Sequence, residues 1–237
     1  MGKQYAELDE RLTEFILDQP LFFVATAPCL SPSGEGGHVN LSPKGGQGTF
    51  AVLGPRRVAY LDLTGSGAET IAHVRQNGRI TIMFCSFWET PKILRLYGMA
   101  RIITPASPEW ARLLGRFTWP NGRAADHGDR RAIIVAELDR IADSCGYAVP
   151  LMDLRGERDL LTRWAGRKTP EGLLRYRAER NAVSIDGLPA LTGNEPVTVR
   201  PVRADLCEPE PLGRHPALGF RDPRPPGTRL TGGRHLA

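Results

Sequence analysis

Apolar positions fall at helical spacing near the start of the chain. Leu8, Leu12, Phe15 and Ile16 share one face of ELDERLTEFILDQ, and Pro20 stops the pattern, so a helix is expected there. LFFVATA then reads as a short apolar β run. After a Gly/Pro/Ser loop, HVNLSP, GTFAVLG and RRVAYLDLTG predict three short strands separated by Gly and Pro turns, an antiparallel meander. AETIAHVRQN is a short helix, and Asn77-Gly78 supplies its C-terminal stop. RITIMFCSFW and KILRLYGMARIIT are long strands. PEWARLLGRF predicts a helix after Pro108. RAIIVAELDRIADSC fits strand or helix, with Ile133, Ile134 and Val135 favouring a strand at its start. PEGLLRYRAERN predicts a helix with Pro170 in its first turn. Strands cluster before residue 104 without regular βαβ alternation. The pattern therefore predicts a mainly β protein with peripheral helices (α+β), an antiparallel barrel.

Composition adds a boundary. Residues 191–237 carry eight prolines, six glycines and Phe220 as their single aromatic, too little apolar surface to offset chain entropy. The expected organisation is a folded body over residues 1–190 and a Pro/Gly/Arg-rich disordered tail over 191–237. The 237 residues suffice to bury a core without staples. No apolar run is long enough to span a membrane, and the N-terminus lacks a signal-peptide pattern. Cys29, Cys85, Cys145 and Cys207 show no C-x-x-C spacing and read as reduced thiols in a cytoplasmic protein, with no metal site. The formal charge of +5 is spread through mixed segments such as RYRAERN. That argues for a solvated surface, not for a nucleic-acid face or a membrane partner.

Two segments could carry chemistry. Thr64-Gly65-Ser66-Gly67-Ala68-Glu69-Thr70 follows a strand and opens a helix. Backbone N–H groups there, with glycines allowing close approach, make an anion or phosphate site; spacing alone fits an ordinary capped loop equally. Glu69 favours the helix dipole but repels a phosphate unless it turns away. A dinucleotide fingerprint is a poor match. Thr70 stands where the third Gly belongs, and although Glu89 lies 20 residues past Glu69, no further βαβ units follow. In His38-Val39-Asn40-Leu41-Ser42-Pro43-Lys44, alternation places Asn40 and Ser42 on one strand face with Lys44 at the exit. They could bond a heterocycle and neutralise an anion, or be solvated strand polarity. His73 reads as a partly buried structural residue, and no side chain stands out as a catalytic base.

NLSPKGG, VAYLDLTGSGAETIAHV, QNGR, ITIMF and ILRLYG together resemble the pyridoxamine 5′-phosphate oxidase-like family, the FMN-binding split barrels. The resemblance covers roughly residues 10–190. Its later part, from Gly146 to Pro189, looks like a long oxidase-related subgroup of unassigned substrate. The family implies a six-stranded antiparallel split β-barrel that forms a homodimer with flavin at the subunit interface. By resemblance, Lys44 matches the basic residue after the first flavin-binding strand. Asp62, Thr64, Ser66 and Gly67 fall where the family contacts the ribityl chain and phosphate. Glu69 and Thr70 fall near the Arg-Lys pair that grips the phosphate in pyridoxamine-phosphate oxidases. Losing two cations costs a few kcal/mol of phosphate binding, at about 1.5–3 kcal/mol per charge-assisted bond, unless backbone donors and Lys44 compensate. The R-L-x-P ending of the vitamin-B6 enzymes is absent, which argues against pyridoxamine phosphate as substrate. The resemblance thus implies an FMN-dependent oxidoreductase acting on a small molecule. Its alternatives are a non-catalytic flavin- or haem-binding protein and a deazaflavin-dependent reductase.

Overall fold

Asp9 opens the first helix, α1 (Glu10–Asp18), by accepting the Leu12 N–H on its carboxylate at 2.8 Å. Leu12 and Ile16 are its buried stripe. The helix stops before Pro20, and β2 (Leu21–Thr26) follows, with Phe22, Val24 and Thr26 turned inward. The computed structural model describes residues 2–29, 36–118 and 129–191, all within one compact unit, Met1–Cys207. The tail expected over 191–237 lies outside the described residues, apart from Leu191.

The remaining strands are β1 (Gln4–Tyr5), β3 (Asn40–Gly45), β4 (Phe50–Gly54), β5 (Arg57–Leu63), β6 (Arg79–Cys85), β7 (Ile93–Ile103) and β8 (Arg130–Ser144). They form one antiparallel sheet in the order β3-β2-β6-β7-β8-β5-β4, with β1 on β8. This corrects two expectations. Among the described residues the sheet has eight strands, seven on its main path, and not six. The three early strands are not one meander: β3 pairs with β2 and β4 with β5, at opposite edges. Only residues 46–49 join β3 to β4, so the two edges must lie close together in space.

The sheet curls until its edges meet. Phe22 on β2 and Phe50 on β4 stand five places apart, about 24 Å in a flat sheet. Their ring centroids are 5.0 Å apart, edge to face, and Tyr60 and Phe84 complete the cluster. This is a mainly β split barrel. Val58, Tyr60, Ile82, Leu96 and Ile134 fill its interior. A second cluster, Ala59, Leu61, Ile133 and Val135, lies on the other face of β5 and β8 with Leu113 of α3 (Trp110–Leu114). α3 is half the length that PEWARLLGRF suggested.

Two bulges shape β8. Tyr97 faces Arg140 while Gly98 faces Leu138, leaving Asp139 unpaired. Asp62 faces Ala132 while Leu63 faces Arg130, leaving Arg131 unpaired. α2 (Glu69–Asn77) ends on Gly78, whose φ of 72° is the left-handed cap that glycine suits. Two helices follow the barrel, α4 (Leu160–Gly166) and α5 (Pro170–Arg180). Thr169 caps α5 by accepting the Gly172 N–H at 3.1 Å.

Cysteine usage departs from expectation. Cys85 and Cys145 are free, but Cys29 is disulfide-bonded. No local spacing announces such a bond, because it joins residues by proximity in space. Among the described residues no helix is long and apolar enough to cross a membrane.

Candidate functional site

The inward face of β3 is polar. Asn40, Ser42 and Lys44 alternate with the more exposed Leu41, Pro43 and Gly45. Curling brings this edge onto β5, and Lys44 Nζ donates to Asp62 Oδ1 at 2.9 Å. Asp62 is fully buried. Its other oxygen accepts from Arg131 Nε at 2.6 Å. The β8 bulge explains that contact. Regular alternation would turn Arg131 to the face of Ile133 and Val135; the extra residue swings it round beside Asp62. Burial alone would raise the Asp62 pKa. The charges of Arg131 and Lys44 outweigh it and hold the carboxyl down at about 2.

Arg131 also ties the β5–α2 turn in place, its Nη1 donating to Gly67 O at 2.7 Å and, more weakly, to Gly65 O at 3.4 Å. From the other side, Asn181 Nδ2 donates to Gly65 O at 2.9 Å and to Ser66 O at 3.3 Å. Arg177 Nε of α5 donates to Thr64 Oγ1 at 2.9 Å. Burial, then the neighbouring Arg131 charge, lowers the Arg177 pKa. The turn's carbonyls thus point at side-chain donors, which leaves its opposite side to a ligand.

Between that turn and β3 lies a cavity of about 280 Å³, lined by Ser42, Lys44, Gly67, Glu69, Thr70 and Arg131 among others. Five of the expected site residues therefore meet around one space, with Asp62 behind them. Asn40 joins through hydrogen bonds: its Nδ2 donates to Thr70 Oγ1 at 3.1 Å, and Ser42 Oγ donates to Asn40 Oδ1 at 3.1 Å. Thr64 and Ser66 are not on this wall. Thr64 is buried and accepts from Arg177, while Ser66 is exposed. The α2 N-cap is Ala68, which offers no side-chain bond. Glu69 bends back over the turn, its Oε2 2.8 Å from where a Gly67 Cβ would stand.

Sequence reasoning missed Arg131, Arg177, Asn181 and Leu161. Only Arg131 left a signal, a charged residue abutting the fully apolar run Ala132–Ala136.

The family described as pyridoxamine 5′-phosphate oxidase matches residues 8–145. A pyridoxamine 5′-phosphate oxidase family protein of Aspergillus flavus, ustO, is 40% identical over 201 residues, 79% of this chain and 77% of that protein. Among solved structures, HupZ of Group A Streptococcus aligns with 20% identity over 62% of this chain and 99% of its own, at a TM-score of 0.40. The FAD binding protein of Mycobacterium smegmatis aligns with 11% identity over 59% and 97%, at a TM-score of 0.38.

Proposed function

The chain belongs to the pyridoxamine 5′-phosphate oxidase family, and from that premise we propose that it is an FMN-dependent oxidoreductase that holds the flavin phosphate in the cavity between β3 and the β5–α2 turn. The observation that carries this reading is the buried Asp62 with Lys44 and Arg131 on its two oxygens at the cavity wall. Fixing both cations on one carboxylate lowers the entropy lost when they meet a phosphate. Arg131 supplies from β8 a cation that the turn itself lacks at Glu69 and Thr70. Each charge-assisted bond to phosphate contributes about 1.5–3 kcal/mol.

The donor set fits a phosphate once Glu69 rotates off Gly67, an inexpensive motion for a half-exposed side chain at the cavity edge. Bound flavin supplies hydride or electron transfer at its ring. The chain's part is to bind and orient. Lys44 and Arg131 would bring positive charge to the phosphate, the first-turn N–H groups of α2 would donate to it, and Ser42 would serve the ribityl or ring edge. The substrate is a small molecule other than pyridoxamine phosphate, and no catalytic base is assigned.

The flavin site is completed by a second subunit. Val39, just before β3, and Leu41, on its outward side, are 74% and 64% exposed, an apolar edge that a homodimer would cover. The protein is expected to work in the cytoplasm.

The deciding experiment is the spectrum and mass of any cofactor released from purified protein, followed by FMN titration. A flavin spectrum and saturable FMN binding support the reading. A haem or deazaflavin spectrum, or no FMN uptake, overturns it.

A further inference from the structure

A second cavity, of about 850 Å³, adjoins the first. Pro43, Lys44, Gly45, Leu63 and Leu161 belong to the walls of both, so occupants of the two would lie against each other. Its near wall is the barrel rim at Pro20, Leu21 and Lys44. Its far wall runs from Leu154 to Arg163, beyond the span 8–145 that the family shares. The cavity is therefore closed between the barrel rim and the segment that follows the barrel.

The far wall is anchored, although much of it lacks regular structure. Glu157 Oε1 accepts the Gln47 N–H at 2.5 Å, and the Met152 N–H donates to Phe87 O at 3.0 Å. Leu154 and Leu161 line the cavity, 58% and 37% exposed. The charges are mostly spent. Asp159 pairs with Arg163 at 2.9 Å, Glu157 is on a backbone N–H, and Lys44 is turned to Asp62 at the first cavity, where the phosphate is proposed. Arg158 lines the same space with no ion pair or hydrogen bond among the described residues.

Apolar walls with one uncommitted guanidinium define a ligand class. We propose that this cavity binds an amphipathic organic anion, its apolar body against Leu154 and Leu161 and its carboxylate or sulfonate on Arg158. The volume suits a molecule of drug size, within the range of about 300–1,000 Å³ for such sites. That the occupant is the flavin's reaction partner rests on the function proposed above; its binding to the cavity does not.

The test uses two dyes that differ in one charge, 8-anilinonaphthalene-1-sulfonate and the uncharged N-phenyl-1-naphthylamine. Both are titrated by fluorescence into the full chain, with and without FMN. Arg158→Ala should weaken the sulfonated dye about tenfold, the loss of one charge-assisted contact, and leave the uncharged dye within about twofold. Leu154→Trp, which fills the cavity from an exposed position, should weaken both dyes about tenfold or more. Neither change should alter FMN affinity. Indifference of both dyes to both substitutions would overturn the proposal. So would complete displacement of the dye by FMN, which would make this cavity the flavin's own. Should the protein take up no FMN, the flavin reading falls, and the dye results still decide the cavity.

Discussion

Arg131 Nε stands 2.6 Å from Asp62 Oδ2, and both side chains are almost wholly shut off from water. A one-residue bulge in β8 makes the pair possible. Removing one member of such a pair strands the other charge. Asp62→Asn should therefore destabilise the fold by about 3–5 kcal/mol in urea denaturation. A loss below about 1 kcal/mol would mean that water already reaches the pair. Acid gives a second readout. The Asp62 pKa is lowered on folding, so its stabilisation is complete above the ordinary carboxyl range, near pH 4, and is lost as pH falls through about 2. Asp62→Asn should flatten that part of the stability profile.

Cofactor affinity should separate phosphate from ring. Lys44→Ala should weaken FMN by about 1.5–3 kcal/mol, roughly 10- to 150-fold, while riboflavin changes little. Glu69→Arg should tighten FMN, because it removes an acid and adds a cation beside the turn. Gly67→Val meets only the flexible Glu69 carboxylate in the unliganded fold, so its effect should appear on FMN titration and not in the melting temperature. Equal losses for FMN and riboflavin would place the phosphate elsewhere.

His73 on α2 is fully buried, with Nδ1 3.0 Å from Thr26 Oγ1 and no hydrogen bond at Nε2. Burial lowers its pKa below the usual value of 6.5, with Asp186 and Glu69 opposing more weakly. The unfolded chain therefore takes up this proton more readily than the folded one. Stability from neutral His73 is complete above about pH 6.5 and falls as pH drops towards the lowered folded value. His73→Gln should lessen the decline in melting temperature between pH 7 and pH 5 (about the titration range of histidine). An unchanged slope would exclude His73 as its source.

Sedimentation should give about twice the 26.0 kDa chain mass at micromolar concentration. Leu41→Glu or Val39→Glu, placing a charge on the exposed β3 edge, should shift the protein towards monomer. A wild-type monomer would remove the second subunit from the proposed flavin site.

The barrel strands were legible as apolar, β-rich runs bounded by turn residues: β2 between Pro20 and a Gly/Pro/Ser loop, β6 after Asn77-Gly78, and β7 as a long run after Pro91. β8 was ambiguous because α3 and the outer cluster bury its second face, leaving Ala132–Ala136 without polar alternation. β1 has two residues, too few for any period, and its Gln4–Tyr5 pairing with β8 depends on distant partners. α4 went unseen because its seven residues make barely two turns, too few for the spacing of Leu160, Leu161, Trp164 and Ala165 to stand out even with Asp159 before them and Gly166 at the end. At the site, Ser42, Lys44 and Gly67 were readable from local order along β3 and the turn. Arg131 was not, because a bulge, which has no sequence signature here, decides which way it points. Arg177 and Asn181 reach the turn from more than 110 residues away, a relationship that periodicity cannot carry.

That separation bears on how the protein is made. Asn181 is 116 residues downstream of Gly65, whose carbonyl it holds. A chain emerging from the ribosome can pair β2 through β8 as soon as residue 144 is free. Its β5–α2 turn then still lacks three hydrogen bonds, from Arg177 to Thr64 and from Asn181 to Gly65 and Ser66. A ligand seated at this turn, as proposed above, would be captured only near the end of synthesis, and a truncated nascent chain should form its barrel yet leave the turn unbraced.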